Sequence, residues 1–465
     1  MRAVREIWRW FDDRTGLSAM LGPLAKHPVP PGSKWLYVFG SATLVAFIIQ
    51  VVTGVALATV YVPSAGQAYE SLNFITHDAP LGSLLRGMHY FGASAMILLI
   101  GIHALRVFLM GSYKFPREVN WLTGIALLGL TVLMGFTGQL LRWDQNAVWS
   151  IVVGAEQAGR TPIIGKWLAH FIMAGDVVGG ATLSRFFSIH VFLVPALILG
   201  VVGFHLYLVL HHGISEPPVS GRPVDPKTYR AWYRQMLQRD GRPFFPDAVW
   251  RDALFAVIVI SAVIALAFVV GPPLLGKPPD PTIVQANPRP DWYLLWYFAV
   301  LALLPHGSEN YVMILGPLTA GLVLILLPFV FPRGERSPRR RPWAVAIVVM
   351  IVLSVGTLWR AGVKADWSPD FSAVALPEHV VGASTGPVFE GARLFATKAC
   401  IYCHAVSGYG GHRGPDLTNV GKRLNANEMT VRILDGGYNM PAFGSILKPA
   451  EVKALVAFLQ SRRAD

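Results

Sequence analysis

The stretches 87–107, GMHYFGASAMILLIGIHALRV, and 190–205, HVFLVPALILGVVGFH, decide how this chain is read. Both belong to apolar runs long enough to cross a bilayer, whose core of roughly 30 Å takes about 20 helical residues. Each carries two histidines, His89 and His103 in the first, His190 and His205 in the second. Ionisable side chains inside such runs are costly and mark function by default. The pairs stand 14 and 15 residues apart. At 1.5 Å per residue, 14 residues advance about 21 Å and return to nearly the same helix face. Two helices so equipped offer one imidazole each at two levels of a membrane, which is the pattern of two non-covalent, bis-histidine haems b. A lone histidine in a helix is more often an interior hydrogen-bonded residue, but four at paired spacing are not. Glycines repeat the interval, Gly40 with Gly54 and Gly124 with Gly138. Glycine lets backbone approach a large ring closely, although small residues also serve ordinary helix packing. Arg86, Arg106 and Arg185, near the ends of these runs, are candidate partners for haem propionates or plain snorkelling arginines.

Outward from these helices, seven runs are adequate as spans: 35–60, 86–109, 119–141, 186–211, 251–271, 311–331 and 342–360. An eighth, Trp292 to Leu304, is short and bounded by Pro290 and Pro305, so it is expected at the interface or folded back into protein. Over 465 residues, 53% are hydrophobic and only 14% charged, which excludes an ordinary soluble enzyme. The net charge of +13 does not point to nucleic acid, because the basic residues lie in short loops between apolar runs. They fix orientation instead. Residues 1–34, the second–third loop (Lys114, Arg117), the fourth–fifth loop (Arg222 to Arg242) and the sixth–seventh loop (Arg333 to Arg341) are basic, whereas 61–82 has no Lys or Arg at all. The N-terminus is therefore expected on the cytoplasmic side, and everything after about residue 361 on the outer side. The expected organisation is an amphipathic surface segment lying against membrane lipid (1–34), a four-helix dihaem region (35–215), a three-helix region (216–361), a linker (362–386) and a small soluble domain (387–465).

That last domain contains the chain's only cysteines, in Cys400-Ile-Tyr-Cys403-His404. C-x-x-C-H is the attachment signature of a c-type haem: each thiol adds to a vinyl group, and the histidine is close enough to ligate iron. A thioredoxin-like pair or half a zinc site fits poorly, since no second ligand pair exists. A sixth ligand is expected from a later loop, where the sequence around Met440 resembles the methionine loop of class I cytochromes c, with His412 as competitor; methionine raises the potential.

These residues resemble the cytochrome b family, and most of all the bf type, in which the b subunit is split in two. The likeness rests on FIIQVVTGVALATVYVP, on 87–124, on GFTGQLLRWDQ and on TLSRFFSIHVFLVPALILGVVGFHLYLVLHHGIS, while 250–361 resembles the separate subunit IV. The C-terminal domain resembles class I cytochromes c through the sequences Tyr438-Asn439-Met440-Pro441-Ala442-Phe443 and GPDLTNVGKR. The resemblance implies an all-α, polytopic bundle of seven spans with a small helical cytochrome c domain. It implies that His89 and His190 ligate an outer, low-potential haem, and His103 and His205 an inner, high-potential one. NPRPDWYLLWYF is similar to the family's Pro-Glu-Trp-Tyr motif with aspartate for glutamate. It makes Asp291 the candidate proton acceptor for quinol, with Pro290, Trp292 and Tyr293 shaping the pocket. His211 and His212 are candidates for an inner quinone site, or surface histidines. Arg142 stands where the family has a proline.

The function so implied is that of a cytochrome b/c fusion subunit of a quinol:cytochrome c oxidoreductase in a bacterial inner membrane. It oxidises quinol at an outer site and relays electrons through two b haems and one haem c, with proton translocation. A Rieske iron–sulfur protein, a downstream cytochrome or oxidase and a second copy of the chain are the expected partners. A dihaem membrane anchor of a quinone-linked dehydrogenase is the alternative, and it would not need Asp291. A haem-free transporter with histidine proton relays is a third reading, separable by a haem assay.

Overall fold

The computed structural model describes residues 2–280, 288–304, 308–364, 376–411, 414–437, 440–444 and 446–463. Seven of its helices are long and apolar enough to cross a membrane: Phe39–Ala58, Gly82–Leu109, Glu118–Leu140, Gly180–His212, Phe244–Val269, Tyr311–Val330 and Pro342–Lys364. They are the seven expected runs, and are called the first to seventh spans below. The eighth apolar run is helical only over Trp292–Leu303 and packs along the seventh span. Strand is confined, among the described residues, to two short antiparallel pairs, Pro28–Val29 with Arg242–Pro243 and Ala405–Val406 with Tyr409–Gly410. The chain is thus an all-α, multi-pass membrane protein with a helical C-terminal region. At the N-terminus, Arg2–Thr15 is a helix whose Ile7, Trp8, Trp10 and Phe11 recur at helical spacing and are exposed.

The first and second spans pack antiparallel, as do the third and fourth, and the fifth lies across the first two. Between them is a buried cluster of Ala42, Ala46, Phe47, Met96, Leu99, Val194, Ile198 and Val259. It fills mid-bundle, so the polar features divide between two ends. The fourth span is not uniform. Residues Ile189–Leu193 form a π turn between α-helical stretches. Pro195, at the start of the following α segment, brings no N–H, and one extra residue in the turn absorbs the mismatch. That residue explains the interval of 15: with it, His190 and His205 share one face just as His89 and His103 do at 14.

The second, fourth and sixth spans all end at one rim, where their unpaired carbonyls are negative helix ends. Buried cations meet them. Lys114 Nζ donates to the carbonyls of Phe331 (2.8 Å) and Arg333 (2.5 Å). Arg117 donates to those of Gly213 (3.0 Å) and His212 (3.3 Å). Arg336 reaches Met110 O at 3.3 Å and pairs with Glu216, and Arg341 reaches Phe108 O and Leu109 O, both at 3.3 Å. All four cations are at most 6% exposed.

The C-terminal domain has its own core, with Phe395, Ile401, Val406, Leu455 and Phe458 among its buried members. Helices Gly386–Thr397 and Pro449–Gln460 cross where Gly391 faces the backbone of Ala454, so closely that a Cβ would come within 2.0 Å of its carbonyl oxygen. Of the expected linker, 365–375 lies outside the described residues, as do His412, Tyr438 and Asn439.

Candidate functional site

Each of the four span histidines faces one of the four 14-spaced glycines on the neighbouring helix. A Cβ built on Gly54 would sit 3.1 Å from His89 Cε1, on Gly40 3.2 Å from His103 Cε1, on Gly138 2.6 Å from His190 Cε1, and on Gly124 3.7 Å from His205 Cε1. The glycines hold room beside imidazoles rather than merely between helices. Three are preceded by threonine, and these hydroxyls fix the rings. Thr53 Oγ1 lies 2.9 Å from His89 Nδ1, Thr123 Oγ1 2.7 Å from His205 Nδ1, and Thr137 Oγ1 3.1 Å from His190 Nδ1. Each hydroxyl gives its own proton to its helix backbone, at Ile49, Asn120 and Leu133 respectively. It therefore accepts from Nδ1–H, which leaves Nε2 with a lone pair suited to a metal. At one level the rings of His89 and His190 have centroids 6.3 Å apart and planes 80° from parallel. Two metal–nitrogen bonds of about 2 Å, plus roughly 1 Å from each nitrogen to its ring centre, need about 6 Å. The pair fits a shared iron.

The same level opens into an apolar cavity that His89, His190, Gly54 and Gly138 line together with Arg86, Gln139, Arg142, Asp291, Trp292 and Tyr293. Asp291 precedes the Trp292–Leu294 turn; its backbone N donates to Gln139 Oε1 at 3.3 Å, and Trp292 Nε1 donates to Ser94 Oγ at 3.1 Å. Tyr293 Oη presses on Gly135, where a Cβ would be 2.5 Å away. Burial lifts the Asp291 carboxyl above its ordinary range; the Arg142 charge lowers it and Asp144 raises it further.

In the C-terminal domain, Cys400 opens a 3₁₀ turn after Ala399, whose φ is +66°, and Cys403 caps it. His404 Nδ1 donates to Pro415 O at 2.8 Å, again freeing Nε2, and Gly414 is the close neighbour of the ring. Burial pushes this imidazole below its usual range, against the hydrogen bond to Pro415. Met440 is half-buried against the same core.

Three comparisons bear on this arrangement. Residues 24–213 match the family model "Cytochrome b/b6/petB", 278–375 match "Cytochrome b(C-terminal)/b6/petD", and 387–459 match "Cytochrome C oxidase, cbb3-type, subunit III". The cytochrome b of Allochromatium vinosum is 31% identical over 364 residues, covering 75% of this chain and 87% of the relative. The chain belongs to the cytochrome b family. The menaquinol:cytochrome c reductase cytochrome b subunit of Bacillus subtilis is 39% identical over 223 residues, 46% of this chain but 99% of that one. A solved structure titled "Hyperthermophilic respiratory Complex III" superposes with a TM-score of 0.65 at 26% identity, covering 85% of this chain and 96% of that chain. The cytochrome b and cytochrome c domains imply haem as cofactor.

Within this cytochrome b, the expected arginines part company. Arg86 lines the cavity at the His89–His190 level but donates to Thr76 Oγ1 (2.9 Å) and Pro273 O (2.7 Å). Arg106, three residues past His103, lies over the Tyr37 ring at 3.7 Å, with Nε and one terminal nitrogen buried and without a hydrogen bond; that orphaned pair of donors suits an anionic group. Arg185 instead donates to Phe171 O and lies over its ring at 5.0 Å, and it does not line the cavity. His211 stacks on Tyr207, and the His212 carbonyl is taken by Arg117. Sequence reasoning missed Thr53, Thr123, Thr137, Gly135 and Gln139. The repeated Thr-Gly pairs at 53–54, 123–124 and 137–138 were the available signal for the first three.

Proposed function

We propose that this cytochrome b/c fusion is the quinol-oxidising subunit of a quinol:cytochrome c oxidoreductase, with two b-type haems and one covalent c-type haem. The carrying observation is that Asp291 and the His89–His190 pair line one cavity. A dihaem anchor would have no use for a carboxylate there. His89 with His190 and His103 with His205 would hold the b haems, Arg86 and Arg106 serving their propionates. Cys400, Cys403, His404 and Met440 would hold the haem c. When bound, haem supplies a one-electron relay at each place.

The chain's own residues handle substrate and protons. Pro290, Trp292 and Tyr293 shape a mostly apolar wall for a quinol ring. Asp291, as carboxylate, accepts one of the two hydroxyl protons lost when quinol is oxidised and releases it toward the outer water, while the second leaves on the side of the separate electron acceptor. Quinol gives up two electrons; the groups that the four span histidines would hold could take one, and the other needs a separate acceptor. Cys400 and Cys403 are the chain's only cysteines, so a Rieske iron–sulfur partner must supply it ahead of the haem c. Two such turnovers would supply the two electrons that, with two protons taken up from the inner side, reduce one quinone to quinol at the inner rim, near His211 and His212. Basic loops put the N-terminus on the cytoplasmic side of a bacterial inner membrane and the cytochrome c domain outside, in a dimer of such chains.

A pyridine haemochrome assay on the purified chain tests the core of this reading. Two haems b and one haem c per chain are expected, and His89→Ala should remove one b haem. Absence of haem b would refute the reading.

A further inference from the structure

Asp291 enters the cavity at the His89–His190 level from a chain segment whose anchors lie outside that cavity. Three consecutive residues, Asp144, Gln145 and Asn146, supply them from the start of the helix Gln145–Gly159. Asp144 caps this helix by accepting from Ala147 N at 2.8 Å, and its other oxygen accepts from Gly276 N at 3.0 Å. The two amides then hold backbone in the same manner. Gln145 Nε2 donates to Asp280 O (2.8 Å), and Asp280 N donates to Gln145 Oε1 (2.5 Å). Asn146 Nδ2 donates to Arg289 O (3.1 Å), and Arg289 N donates to Asn146 Oδ1 (2.9 Å). A carboxamide carries donor and acceptor side by side, so it matches the N–H and C=O of a single residue as a neighbouring strand would.

Arg289 stands two residues before Asp291, and little freedom separates them. Pro290 fixes its own φ and has no N–H. Asp291 N is held by Gln139 Oε1 at 3.3 Å, and Asp291 O accepts from Leu294 N at 2.9 Å. The Arg289 side chain is tied elsewhere, to Val363 O at the end of the seventh span (3.1 Å). Arg289 is only partly buried, so water can serve both of its backbone groups once the amide is gone. The Asn146 rung therefore contributes placement more than stability.

We infer that Asn146 is a positioning residue: its amide sets the backbone of Arg289 and, through Pro290, the place of the Asp291 carboxylate against a bound quinol. The assignment rests on the quinol site proposed above. Asn146 does not line the cavity, so it touches no substrate, and no covalent step is assigned to it. Freed of the rung, the segment samples placements in which the carboxylate misses the quinol hydroxyl, and the loss falls on turnover. Trp292 keeps its own bond to Ser94, so the binding wall stays.

Asn146→Leu tests this in the intact complex, because it removes both bonds at similar side-chain size. Oxidation of 2,3-dimethyl-1,4-naphthoquinol is followed across pH, with b and c haem spectra as the integrity check. At neutral pH, kcat should fall roughly tenfold, the change that two modest hydrogen bonds control, with KM within about twofold of wild type. The acid limb of the rate should move to lower pH, because the released carboxyl meets more water while its neighbours Arg142, Asp144, Tyr90 and Tyr293 are unchanged. A merely structural defect in the helix would lower kcat without moving that limb. Asn146→Ala carries the same expectations if the leucine variant does not assemble. On an Asp291→Asn background the Asn146 substitution should cost less than about twofold, because its effect passes through the carboxylate. A wild-type kcat in either variant, a loss with an unmoved acid limb, or an undiminished loss without the Asp291 carboxylate overturns the assignment. Asp291→Asn alone separates the two levels. If it oxidises quinol at the wild-type rate, the outer-site reading itself fails; if it is slow while the Asn146 variants are normal, only the present inference falls.

Discussion

Substituting alanine at the four facing glycines should damage the haem sites in a fixed order. The limit of ordinary contact for a Cβ is about 3.4 Å, and the built Cβ on Gly138 falls at 2.6 Å from His190 Cε1, a deficit of 3.4 − 2.6 = 0.8 Å. The deficits are 0.3 Å for Gly54 (3.4 − 3.1) and 0.2 Å for Gly40 (3.4 − 3.2), and none for Gly124 at 3.7 Å. His190 cannot simply turn aside, because Thr137 holds its Nδ1 at 3.1 Å. Overpacking of this kind costs about 1–3 kcal/mol, which is roughly a 5- to 150-fold loss of affinity for whatever the ring ligates. Gly138→Ala should therefore lose haem b at the His89–His190 level first, Gly54→Ala and Gly40→Ala less, and Gly124→Ala least. Haem b per chain and redox titration of the b bands in purified complex measure this. Equal loss in Gly124→Ala and Gly138→Ala, or a full complement with unshifted midpoints in Gly138→Ala, would refute the reasoning.

Thr137→Val removes the acceptor for His190 Nδ1–H and makes the ligand less basic, so the b haem proposed at the His89–His190 level should bind at least roughly tenfold more weakly and titrate at a higher midpoint. Asp291→Asn should slow quinol oxidation by about 100-fold or more at unchanged haem content, read by steady-state assay. Because burial raises the Asp291 carboxyl, it stays protonated, and unable to accept, to a higher pH than an ordinary aspartate. The rate should fall as pH drops through that raised value, and Arg142→Gln, by removing the charge that lowers it, should move the acid limb to still higher pH. Met440→His should lower the haem c midpoint while covalent haem remains, checked by denaturing-gel haem stain and titration.

Much of this architecture is legible without coordinates because it depends on periodicity within single helices. The seven spans follow from run length, and the histidine and glycine intervals place side chains on one face whatever the neighbours do. What requires two elements at once is not legible. The 15-residue interval from His190 to His205 holds one residue more than its partner's 14, and only the π turn at Ile189–Leu193 accounts for it. Gln139 looks like an ordinary polar residue at a helix end; only the approach of the Asp291 turn shows which of its atoms is engaged. Arg86, Arg106 and Arg185 are equivalent as letters near span ends, yet one lines the cavity, one covers Tyr37 and one ties down Phe171.

The charged rim ties the two halves of the chain to each other. Lys114, from the first half, grips carbonyls at the end of the sixth span, while Arg336 and Arg341, from the second half, grip carbonyls at the end of the second. The clasp is reciprocal and buried, so salt screens it little. The peptide joining the halves is thus dispensable for keeping them together. A chain nicked by protease between Pro217 and Thr228 should still sediment as one particle, and severing it should alter the sequence of assembly events rather than the finished object.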